Sequence, residues 1–196
     1  SSIIGAGLGS SVERLPLMLS LMLPMVSTTS EVESLVPMIN HTAEQCFKIA
    51  NKRIAYRLGC MLETPRSCLI ADSLSSLESV SFVTFDTNEL TQFVWGMAKD
   101  DCTKNITQNY LKRNVLKTGE LFAIADGMFS YFADPFDTID QHGVGAFMGV
   151  AAKRCRHANK DVKLGVTGDH TSDSKSIFFF DKLGVDYVRY PYLIAL

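Results

Sequence analysis

The sequence predicts a parallel α/β fold, part of a (β/α)8 barrel. Three observations carry this. Short apolar runs alternate with helical patterns along most of the chain, which is how strands and crossover helices build a parallel sheet. Three of those runs end in carboxylates: LGCMLE at 58–63, FVTFDTNE at 82–89 and KLGVTGDH at 163–170. The last also has a glycine turn and an imidazole. Ligands in such folds bind outside the carboxyl ends of the strands, so these ends are where chemistry would be presented.

The elements follow in order. Residues 1–18 read as an irregular lead-in; GAGLG at 5–9 has no strand before it and lacks the context of a phosphate loop. Residues 19–26 are a continuous apolar run, expected to be a buried strand. Thr28 with Glu31, and Ser30 with Glu33, form overlapping capping boxes. The helix they open would bury Val32, Leu35, Val36, Ile39, Ala43, Phe47 and Ala50 on one face, with Pro37 kinking it or breaking its first turn. Residues 54–62 form the second strand. Thr64 then caps a helix with Pro65 in its first position, and Cys68, Leu69, Ala71, Leu74 and Leu77 supply its buried side.

Residues 80–85 are the third strand, and a long excursion follows over 91–140, with an insertion around 103–133. Its aromatic residues Phe122, Phe129, Tyr131 and Phe132 are either partner contacts or a satellite core under a long loop. Residues 143–159 form a helix burying Val144, Phe147, Met148, Ala151 and Cys155, and its basic end, 153–156, suits the helix dipole. Residues 164–166 are the fourth strand. Ser172 or Asp173 caps a further helix, Gly184 ends it, and 185–190 make a fifth strand. Only four or five βα units are present, whereas a complete barrel typically needs about 250 residues. An incomplete barrel has an open edge, and that edge predicts another chain or domain to cover it.

Composition narrows the function. A net charge of −2 offers no basic face to nucleic acid. The apolar stretch at 15–26 is too short to span a bilayer, is interrupted by Pro16 and Pro24, and has no cationic region before it, which argues against a secretory signal. The five cysteines are odd in number and lack CxxC spacing, so they read as reduced thiols of an intracellular compartment, cytosol or an organelle matrix such as the mitochondrion. His41 and His157 lie in polar helical contexts and read as surface residues.

Longer motifs now become specific. GCMLETPR at 59–66 is similar to the G-T-M-I-E-x-P-R-A strand end of pyruvate phosphate dikinases, FDTNELTQ at 85–92 to their F-G-T-N-D-L-T-Q, and GMAKDD at 96–101 to G-F-S-R-D-D. DPFDTIDQHGVG at 134–145 is close to D-P-F-x-x-L-D-Q-E-G-V-G, and GVTGDH at 165–170 to G-I-C-G-E-H. The order and spacing agree from 19 to 196, so this stretch resembles the C-terminal half of the phosphoenolpyruvate/pyruvate-binding barrel of that family.

The resemblance implies Mg²⁺ held by carboxylates at adjacent strand ends, here Glu63 and, in place of an Asp, Glu89. Mg²⁺ takes oxygen ligands and tolerates misplacement poorly; the alternative is that both glutamates are solvated rim residues. It implies substrate contacts at Thr87, Asn88, Gly168 and Asp169, with catalytic positions at Thr167 and His170. Thr167 stands where the family has the cysteine that protonates the enolate, and a hydroxyl has no usable pKa near neutrality. Asp86 replaces a glycine, Lys99 an arginine, Asp169 a glutamate, Thr171 and Ser172 a glycine pair, and Leu193 an arginine.

Three functions are therefore in play. One is a degenerate, catalytically inactive barrel kept as a structural or interaction subunit. A second is a Mg²⁺-dependent phosphoenolpyruvate/pyruvate-binding domain of an active dikinase completed by other segments. The third is a Mg²⁺-dependent enzyme on a related acid, with His170 as base. The first accounts for the changed site residues together, because a fold carries function only through its site.

Overall fold

The computed structural model describes residues 18–101 and 134–189. The expected lead-in before residue 18, the insertion around 103–133 with its aromatic cluster, and Leu193 lie outside the described residues. Five strands form one sheet in the order β1-β2-β3-β4-β5, every neighbouring pair parallel. They are β1 (Met18–Leu23), β2 (Ala55–Leu62), β3 (Val80–Asp86), β4 (Lys163–Thr167) and β5 (Tyr187–Val188). The sheet curls into a half-barrel, the partial barrel that the sequence predicts.

Helices connect the strands: α1 (Thr29–Ala50), α2 (Pro65–Leu69), α3 (Ala71–Ser75), α4 (Thr87–Trp95), a single turn α5 (Lys99–Asp101), α6 (Val144–Ala158) and α7 (Ser174–Lys182). Strand residues alternate between two faces. On the helix-covered face Cys60, Leu62, Val83, Phe85, Leu164 and Val166 are fully buried, and they meet Cys68, Ala71, Leu74, Val144, Met148, Ala151 and Cys155 from the helices. Burial pushes the thiols of Cys60 and Cys68 up to about 12 and that of Cys155 to about 11. The other face is concave. There the ring of Phe82 occupies the space over Gly59 and that of Tyr187 the space over Gly165, where an added Cβ would lie 2.3 Å and 2.2 Å from ring carbon atoms.

The helix signals are largely realised. Thr28 and Glu31 form the capping box of α1, Thr64 caps α2 with Pro65 in its first turn, and Asp173 caps α7. Five expectations change. The run at 19–26 is not a buried strand: β1 lies at the sheet edge, with Met18 58% and Leu19 50% exposed. The expected buried face of α1 contains one buried residue, Val32; Leu35 and Ala50 are exposed and the others half-buried. The cause is an apolar groove of about 620 Å³ between α1 and β1, lined by Leu19, Leu21, Leu35, Met38, Ile39 and Phe47 among others. Pro37 is carried inside α1, whose helical run is unbroken from Thr29 to Ala50.

The helix expected after Thr64 is two short ones, divided at Ile70 (φ −111°, ψ 20°), and Leu69 points outward. The Leu69 carbonyl at the break accepts a hydrogen bond from Arg154 of α6. Finally, the basic end of α6 does more than meet a helix dipole. Arg156 donates to the carbonyls of Val162 (2.6 Å) and Gly184 (3.1 Å) and pairs with Asp186. Asp186 in turn accepts from the amide of Leu164 at 2.8 Å, so these two side chains tie α6, β4 and the short β5 together.

Candidate active site

The carboxyl ends of β2, β3 and β4 lie side by side at one rim of the sheet. At the end of β2, Glu63 is 4% exposed and its Oε1 accepts the amide of Met25 at 3.0 Å. Met25 itself has φ 52°, so the turn after β1 is bent to bring this amide across. Burial raises the Glu63 pKa, the Met25 bond opposes that, and the nearby Asp86 and Glu89 raise it further. Glu89 is half-buried in the first turn of α4, and no partner for its carboxylate is found among the described residues.

Asp86 ends β3, and its carboxylate is taken up locally. It accepts the amides of Asn88 (2.9 Å) and Glu89 (3.3 Å) as the N-cap of α4. A residue that replaces glycine in the family pattern therefore starts a helix here. Burial raises its pKa while those two amides hold it down.

Thr87, Asn88 and the turn after β4 are interlocked. Asn88 Oδ1 accepts the amide of Asp169 at 3.0 Å. Thr87 is fully buried; its Oγ1 lies 2.8 Å from His170 Nδ1 and 3.1 Å from the Thr167 carbonyl. His170 is fully buried too, and its Nε2 is 2.7 Å from the Pro135 carbonyl. A carbonyl only accepts, so Nε2 carries a hydrogen. The neutral ring then offers a bare Nδ1, and the single Thr87 hydroxyl hydrogen goes to it; the bond to Thr167 forms only when Nδ1 is protonated. Burial lowers the His170 pKa, so the neutral arrangement prevails.

Gly168 must be glycine. Its φ is 114°, and a Cβ there would lie 2.3 Å from Thr87 Oγ1. Asp169 pairs with Lys99, which holds its carboxyl below the usual carboxylate range. Thr167, at the end of β4, is half-buried, and its side-chain hydroxyl makes none of the described hydrogen bonds.

The structure thus brings together Glu63, Asp86, Thr87, Asn88, Glu89, Thr167, Gly168, Asp169 and His170. The sequence reading placed no weight on the Pro135 carbonyl, whose partner is the site's imidazole. The signal was present in DPF at 134–136: Asp134 Oδ1 accepts the Phe136 amide at 2.9 Å, Phe136 is buried, and the turn aims the intervening carbonyl at the ring.

Among the described residues no three His, Cys, Asp or Glu side chains form a metal cage. The donors available are carboxylates that repel one another, Glu63 against Asp86 and Glu89. That is a hard oxygen set, and it fits a Mg²⁺ bound by one or two carboxylates with substrate and water completing the shell.

Taken together, the curled parallel sheet and the carboxylates at its rim define a barrel-type α/β domain. The chain belongs to the PEP-utilising enzymes: the model of their PEP-binding domain matches residues 10–191. It is 36% identical over 168 residues to "Pyruvate, phosphate dikinase 2" of Oryza sativa subsp. japonica, covering 86% of this chain and 17% of that protein. Against "Pyruvate, phosphate dikinase" of Giardia intestinalis it is 33% identical over 177 residues, covering 90% of this chain and 18% of the relative. The chain spans less than a fifth of the length of these relatives. Among the described residues no helix is long and apolar enough to cross a membrane.

Proposed function

We propose that this chain is a catalytically silent phosphoenolpyruvate/pyruvate-type half-barrel that serves as a structural and interaction module. The observation that carries this is the employment of its site groups in the fold. His170 has both nitrogens engaged and is buried, Asp169 is paired with Lys99, and Asp86 caps α4. A general base must reach the proton it removes, which also weighs against His170 as the base of a related enzyme. Thr167 supplies a hydroxyl at the position where the family's proton donor is a thiol. The partner is another chain or domain lying along the exposed β1 edge and the apolar groove beside it. The buried, unpaired thiols are in keeping with a reducing, intracellular setting.

A second reading has one specific observation in its favour. Asp86 and Glu89 both repel Glu63, and a cation would relieve that repulsion. Mg²⁺ held by Glu63 and Glu89 would supply positive charge to an enolate or carboxylate. Thr87, Asn88, Gly168 and Asp169 would then shape the rim around the acid, with Asn88 fixing the Asp169 backbone.

The test is proton exchange of pyruvate in heavy water, followed by NMR, with parallel calorimetric titration of oxalate with and without Mg²⁺. The expected result is no exchange above the uncatalysed rate, and none in Thr167→Cys either, because the other groups stay committed. Mg²⁺-dependent exchange by the unaltered chain would sink the silent reading. Mg²⁺-dependent oxalate binding without exchange supports the second.

A further inference from the structure

We propose that the concave face of the half-barrel holds a phosphate-class oxyanion between Arg57 and Arg189, on residues separate from the carboxylate rim. Ser20 and Arg57 are register partners on β1 and β2. Arg57 Nε donates to Ser20 Oγ at 2.9 Å, and its guanidinium stands 5.3 Å from the centre of the Phe82 ring. This leaves both terminal amino groups of the guanidinium without an acceptor among the described residues. Arg189 follows β5, and its backbone amide bonds the Val166 carbonyl at 2.8 Å, which sets it level with Thr167. Neither arginine forms an ion pair among the described residues.

Between the two cations lies a built floor. Phe82 and Tyr187 meet edge to face with ring centres 6.5 Å apart, each ring over the glycine that makes room for it. The Tyr187 hydroxyl is 2.6 Å from Oγ1 of the fully buried Thr84. Burial raises the Tyr187 pKa and the Asp186 carboxylate adds to that, while the bond to Thr84 and the charges of Arg57 and Arg189 lower it, so both guanidinium groups act on this phenol. The residues enclose a pocket of about 260 Å³. That is smaller than the roughly 300–1,000 Å³ of pockets for drug-sized ligands, so the occupant is small.

The charge selects the ligand. Two arginines never lose their protons near neutrality, and their forked donors match phosphate oxygens. A phosphate dianion balances both charges; a single carboxylate balances one. The Ser20 and Tyr187 hydroxyls add neutral donors to a tetrahedral acceptor. Holding an anion requires no proton transfer, so this site stands whether or not the rim is silent.

The experiment is calorimetric titration of the whole chain with inorganic phosphate at constant ionic strength and without Mg²⁺, with acetate as the carboxylate probe. Saturable phosphate binding is expected, tighter than acetate. Arg57→Gln and Arg189→Gln should each weaken it by about tenfold or more, since a hydrogen bond to a charged group is worth about 1.5–3 kcal/mol. Arg57→Lys, which keeps charge and loses the fork, should fall between. Both arginines are exposed, so the variants should keep the parent melting temperature, which is measured alongside. Three results would overturn the proposal: no saturable phosphate binding at millimolar concentration, binding indifferent to both Gln variants, or a preference for acetate.

Discussion

At the residue scale, His170 and Glu63 carry opposite relations to pH. The folded state lowers the His170 pKa through burial, so it resists a proton that the unfolded chain accepts. Stability from the neutral ring is present above the ordinary imidazole value of about 6.5 and is lost as pH falls below it. His170→Gln should cost about 2 kcal/mol near pH 7.5 for its two buried hydrogen bonds. It should also flatten the stability profile as pH falls below about 6.5, as measured by urea unfolding. Glu63 is the reverse case, since its pKa is raised, mainly by burial. The fold disfavours its ionised form, so stability is lost as pH rises from the ordinary glutamate value through the raised one. Glu63→Gln keeps an acceptor for the Met25 amide and removes the repulsion, so it should raise the melting temperature near neutrality without Mg²⁺. If Mg²⁺ binds at the rim, adding it should stabilise the unaltered chain and leave Glu63→Gln unmoved. Gly168 and Thr167 show what the sequence disclosed at this scale. The strand-end turn was readable from glycine and polarity, whereas the imidazole's second partner is a backbone carbonyl 35 residues away, which no side-chain pattern encodes.

Elements were more legible than their burial. The strands and most helix starts follow from local chemistry: Thr28 with Glu31, Thr64 with Pro65, and Asp173 each name a cap. What failed was the judgement of which faces are covered, because apolar content shows what can be buried, not what neighbour is there to bury it. α1 has the apolar spacing of a core helix but stands beside an open groove, and the β1 run ends up on an edge. The division of α2 from α3 was hidden for another reason: Arg154, far along the chain, supplies the donor at the break. Asp86 offers a test at this scale. Removing an N-cap side chain costs about 1 kcal/mol of helix stability. Asp86→Ala should therefore speed hydrogen exchange at the Asn88 and Glu89 amides, which lose their acceptor, while Asp86→Asn should preserve most of the protection.

At the scale of the molecule, the sheet formed by the described residues has two unlike sides and an open edge at β1. Its helix-covered side is packed to full burial, while its outer strand and α1 leave Leu19 50% and Met38 65% exposed. Replacing both by lysine should change unfolding free energy by less than about 0.5 kcal/mol per site, as for other exposed positions. It should also reduce self-association and apolar dye binding, read by light scattering and fluorescence. Unchanged dye binding would count against the proposal that a partner covers this face. The buried thiols have a practical consequence as well. Among the four cysteines of the described residues, Cys46 is exposed and Cys60, Cys68 and Cys155 are sealed beneath the helices, protonated at any physiological pH. An alkylating reagent should modify Cys46 at once and the other three only when the helical layer lifts from the strands. Their labelling rates make a built-in clock for that opening, and slowing of the clock when a companion chain is added would time the closing of the barrel.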